Sequence, residues 1–86
     1  MGMSRSQIEE ELKNLLLKII DVEPEDIKPQ AHFFKDLGVD SIKAIEITVA
    51  IEKHFKISFR DEQVAEITTL GEAVKVVESI LKEKSY

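Results

Sequence analysis

The chain has 86 residues, with 17 acids against 12 bases, a net charge of −5 and no cysteine. That length supports one modest core rather than two, and the acidic balance argues against nucleic acid or an anionic membrane as main partner. Disulfides, thiolate metal sites and cysteine catalysis are excluded, and no apolar run nears the ~20 residues that cross a bilayer, so a soluble, cytoplasmic protein is expected.

Ser6 followed by Glu9 reads as a capping box, and Ile8, Leu12, Leu15, Leu16, Ile19 and Ile20 recur at helical spacing. This predicts a first helix ending near Asp21. Asp21–Val39 is long for a loop in a small domain, and Pro24 and Pro29 argue against a continuous helix there. Ile27, Phe33, Phe34 and Leu37 are placed to pin it to the core as an ordered crossover. A second helix is predicted from Asp40 or Ser41 to about Lys56. Its apolar residues Ile42, Ala44, Ile45, Ile47, Val49, Ile51 and Phe55 cover most of the circumference. Only Lys43, Glu46, Ala50 and Lys53 read as plainly solvent-facing, so burial on several sides is expected.

Asp61 to about Glu66 supports a short helix anchored by Val64 and Ile67. Thr69 with Glu72 forms another capping box, opening a last helix with Leu70, Ala73, Val74, Val77, Ile80 and Leu81 on one face. Lys82–Tyr86 reads as a frayed end, and Met1-Gly2-Met3 as including a residue or two left by cloning. The pattern predicts an all-α fold: a small four-helix bundle, three helices longer and one short, with a long ordered loop between the first two. One domain spans 1–86, with its core over about 6–82.

The segment Asp36-Leu37-Gly38-Val39-Asp40-Ser41-Ile42 is the most informative. Leu37-Gly38 turns the chain, Asp40 can cap the following helix, and Ser41 falls in its first turn. A helix start offers unpaired N–H groups and partial positive charge, so a phosphate attached there would be well placed. No base stands beside the serine, no Gly-x-Ser-x-Gly elbow is present, and His32 and His54 have no orienting partner at a telling spacing. Two lone histidines among scattered acids match no metal-ligand spacing. No catalytic residue and no metal ligand is assigned.

With these residues in view, the chain resembles the acyl carrier proteins. The resemblance rests on Phe34-x-Asp36-Leu37-Gly38-x-Asp40-Ser41-Ile42, then Ile45-Glu46-Ile47, Ile51-Glu52-x-x-Phe55 and Ile67-Thr68-Thr69-Leu70, and it covers roughly Ile8 to Leu81. It implies a four-helix bundle in which a phosphopantetheinyl transferase uses coenzyme A and Mg²⁺ to attach 4′-phosphopantetheine to Ser41. The arm's thiol then holds acyl groups as thioesters, which fits a chain without cysteine. The resemblance further implies a monomer that meets acyl-transferring, condensing and acyl-modifying enzymes through its second helix, with Asp40 bordering the attachment point. Ile42, Lys43, Glu46 and Glu52 are the implied partner contacts, and Val49, Phe59, Ile67 and Leu70 the implied lining of an acyl cleft.

One departure matters. Fatty acid carriers usually place an acid two residues after the serine, where Lys43 stands here. Asp36–Glu66 holds seven acids and four bases, a mild −3. The wording is more like carriers of polyketide, polyunsaturated fatty acid or specialised acyl systems. A peptidyl or aminoacyl carrier and a helical interaction module without an arm stay open as alternatives.

Overall fold

The computed structural model describes residues 3–84. Four helices, α1 (Arg5–Ile19), α2 (Ser41–Phe55), α3 (Asp61–Glu66) and α4 (Leu70–Lys84), surround one core, as the periodicity predicts. The core is built by Ile8, Leu12 and Leu16 of α1, Ile47, Ile51 and Phe55 of α2, and Leu70, Ala73, Val74, Val77 and Ile80 of α4. α1 packs against both α2 and α4.

The start of α1 differs from expectation. Ser4, not Ser6, is the cap: Gln7 N–H donates to Ser4 Oγ at 3.2 Å, and Ser4 N–H donates to Gln7 Oε1 at 3.0 Å. Ser4-x-x-Gln7 is an equally good capping box, and choosing it adds helix that brings Arg5 to Glu78 of α4 at 2.7 Å. At the other end, α4 is helical through Lys84, so Lys82–Lys84 is not frayed. Met1, Gly2, Ser85 and Tyr86 lie outside the described residues, and so does the cloning reading of Met1-Gly2.

The expected burial of α2 on several sides is not met. Only Ile47, Ile51 and Phe55 are buried, while Ile42 and Ile45 are 68% and 65% exposed. The physical reason is that α2 packs on α1, while the six-residue α3 packs against α4 and leaves the rest of α2 uncovered. α3 also turns opposite to expectation. Val64 points out, and Gln63 is the buried residue, its Oε1 accepting Arg60 N–H at 2.9 Å. Ile67 does pack against the core.

The crossover is ordered, as predicted. Pro24–Asp26 forms one 3₁₀ turn, and Ile27, Ala31, Phe33, Leu37 and Val39 are buried along it. Phe34, expected to be a pin, is instead 49% exposed. The loop is tied to the start of α4 by backbone. Phe33 N–H donates to Thr68 O at 2.9 Å, Gly71 N–H donates to Pro29 O at 2.8 Å, and His32 bridges Thr69 in antiparallel fashion. A Cβ on Gly71 would stand 3.1 Å from the Pro29 oxygen, a tight contact that glycine avoids.

Candidate functional site

The chain reaches α2 through Gly38, whose φ of 66° lies in the left-handed region where glycine is at ease. Two residues on, Asp40 is extended, and its carboxylate Oδ1 accepts Lys43 N–H at 2.8 Å while its carbonyl takes Ala44 N–H at 2.9 Å. The Asp40 cap expected from the sequence is therefore formed, and Ser41 becomes the first residue of α2.

Ser41 is exposed, and its hydroxyl has no hydrogen-bond partner among the described residues. No imidazole or carboxylate is positioned to take its proton. The amides of Ser41 and Ile42 precede the capped one and remain open at the positive end of a fifteen-residue helix. The geometry suits a phosphodiester on Ser41 better than an attacking alkoxide.

Around this serine lies an apolar face. Phe34, Ile42, Ile45, Val49 and Val64 are the large hydrophobic residues exposed among the described residues. Ile42 stands exposed in the first turn of α2, while Phe34, Ile45, Val49 and Val64 belong to the side where α2 meets the crossover and α3. A groove of about 110 Å³ opens between them, lined by Phe33, Phe34, Val39, Ala44, Ile47, Thr48, Val64 and Ile67. A shallower hollow of about 170 Å³ continues along α2 over Ala44, Ile45, Thr48, Val49 and Val64. Thr48 spends its hydroxyl hydrogen on Ala44 O at 2.9 Å, so the groove wall it forms is less polar than the residue type suggests.

Of the four cleft candidates, Ile67 lines the groove and Val49 the adjoining hollow. Leu70 is fully buried core, and Phe59 packs against the core without lining either. The groove's other walls were missed because Ala44, Ile47 and Thr48 read as plain helix interior, and Phe34 and Val64 as anchors.

The partner candidates divide similarly. Ile42 is exposed, and Lys43 and Glu46 pair with each other at 3.3 Å. Glu52 sits apart from them, half-buried, with Oε2 accepting Phe59 N–H at 2.9 Å to hold the chain after α2. His54 pairs with Glu11 and joins α2 to α1. Among the described residues there is no group of three His, Cys, Asp or Glu side chains that could hold a metal ion, and no helix long and apolar enough to cross a membrane.

A protein family described as "Phosphopantetheine attachment site" matches residues 10–77. Among solved structures, the chain is similar to an acyl carrier protein from Enterococcus faecalis. The two are 27% identical, the match covers 91% of this chain and 99% of that one, and the TM-score is 0.76.

Proposed function

Because this chain belongs to the acyl carrier proteins, whose cofactor is covalently attached 4′-phosphopantetheine, we propose that Ser41 carries the arm and that the protein presents acyl intermediates on it to a dedicated set of enzymes. The carrying observation is the exposed, unpartnered Ser41 hydroxyl at the Asp40-capped start of α2. A phosphopantetheinyl transferase would join that oxygen to the phosphate of coenzyme A, releasing adenosine 3′,5′-bisphosphate. The open amides of the first turn would then face the phosphodiester. The protein itself performs no bond chemistry. It raises the effective concentration of a tethered acyl group at whatever enzyme docks.

The groove beside Ser41 supports partial shelter of the cargo. Its volume of about 110 Å³ is smaller than the ~150 Å³ that holds a benzene ring. Only a short apolar stretch fits, the rest of a long chain staying along the Ile45–Val49–Val64 hollow. Docking follows from the same face. Over Ser41–Phe55 two lysines balance two glutamates, and Glu46 is already paired with Lys43. Ile42, Ile45 and Val49 therefore offer partners apolar contact where a fatty acid carrier would offer a row of acids. This favours polyketide, polyunsaturated or specialised acyl enzymes over a general fatty acid synthase set.

Tandem mass spectrometry of the protein after arm transfer tests the assignment. The reading expects the added group on the peptide containing Ser41; modification at Ser58 or Ser79 in its place would contradict it.

A further inference from the structure

The turn leading to Ser41 is closed by a histidine. Nδ1 of His32 accepts the backbone N–H groups of Phe34 and Lys35, both at 3.2 Å. In return the Asp36 carboxylate Oδ2 accepts His32 N–H at 2.7 Å. The His32 carbonyl takes the N–H groups of Asp36 and Leu37, at 2.8 and 3.2 Å. A side-chain acceptor over the first amides, answered by a second side chain on the cap's own amide, is the logic of a capping box. Here it closes a four-residue turn, 33–36, instead of a helix.

What the turn carries gives the clasp its consequence. Phe33 and Phe34 form one wall of the groove, together with Val39. Phe33 is anchored twice, its N–H donating to Thr68 O and its carbonyl accepting Val39 N–H, each at 2.9 Å. Phe34 is half exposed and tilts against the imidazole with ring centroids 6.1 Å apart, so the turn more than core packing fixes where its ring stands. α2 has its own cap in Asp40 and does not depend on His32 for its start.

We propose that His32 and Asp36 are positioning residues of this carrier. They hold the Phe33–Phe34 wall against α2, and so determine how firmly the groove shelters an acyl chain on the Ser41 arm. This rests on the carrier reading above. Without the imidazole acceptor, two amides lose their partner, and the turn relaxes toward water and carries the wall outward.

The test uses the whole protein and the variants His32→Ala, His32→Asn and Asp36→Ala. Each is loaded with the arm alone, and separately with the octanoyl arm from octanoyl-coenzyme A, by a broad-specificity transferase, with loading read by intact mass. The measured quantity is the rise in thermal midpoint from arm to octanoyl arm within each variant. A purely structural cap would lower both midpoints together and leave that rise unchanged.

The unaltered protein and His32→Asn, whose side-chain oxygen still accepts, are expected to keep the full rise. His32→Ala and Asp36→Ala are expected to lose most of it; should His32→Ala not fold, Asp36→Ala reads the same quantity. A full rise in the alanine variants would overturn the proposal. Loading without any rise in the unaltered protein would overturn this proposal and the groove's shelter of the cargo, whereas failure to load would overturn the carrier reading with them.

Discussion

Asp40 and Ser41 divide one task between adjacent side chains. The carboxylate of Asp40 faces the helix and satisfies Lys43 N–H, which leaves the serine oxygen turned to solvent with no partner. Asp40→Ala should therefore cost about 1 kcal/mol of stability, the usual worth of such a cap, and should also slow arm transfer. Thermal unfolding alongside transfer kinetics checks this; an unchanged midpoint would mean the cap carries nothing. Ile45, at 65% exposure, makes the opposite case. Ile45→Asp should leave stability within ~0.5 kcal/mol, as surface changes do, while weakening association with partner enzymes. Lys43→Glu removes the Lys43–Glu46 pair and frees an acid. It should speed encounter with a condensing enzyme that presents a basic surface, the gain fading as salt rises. A gain independent of salt would contradict the electrostatic argument.

At the scale of elements, the crossover and α3 decide the site more than the long helices do. Gly38 makes its turn at φ 66° with open space where a Cβ would sit. Gly38→Ala should accordingly cost backbone strain alone, about 1 kcal/mol, seen as a lower midpoint without loss of helix signal. The α1–α4 contact carries a pH dependence. The hydrogen bond from Arg5 holds the Glu78 carboxyl below its ordinary range, against an opposing effect of desolvation, with the charges of Arg5 and Lys82 adding to the lowering. A carboxylate lowered in the folded state stabilises above its unfolded titration, and that contribution disappears as pH falls through the lowered folded value. Glu78→Gln should therefore flatten the acid side of the stability profile, and high salt should shrink the difference. Much of this architecture was legible in the sequence. Asp40 as cap, the bounds of α2 and α3, and the ordered crossover all follow from local chemistry. What was not legible came from how the elements pack: periodicity shows that Ile42, Ile45 and Val49 are apolar, but not that a six-residue α3 packed against α4 leaves them uncovered. His32 was unreadable for a related reason, since its capping role appears only when Asp36 folds back onto its amide.

At the scale of the whole molecule, one core of α1, α2, α4 and the crossover leaves its apolar surplus on a single face, beside the one serine that begins α2. A carrier needs that asymmetry: a stable body, a modifiable oxygen at its edge, and a face that cargo and enzymes can both use. The most direct measurement is intact mass after incubation with coenzyme A, Mg²⁺ and a broad-specificity phosphopantetheinyl transferase, with Ser41→Ala treated in parallel. The account predicts a gain of one phosphopantetheinyl group by the unaltered protein and none by the variant, both equally helical. The same gain on Ser41→Ala, or no gain by a folded chain while a control carrier is modified, would contradict it.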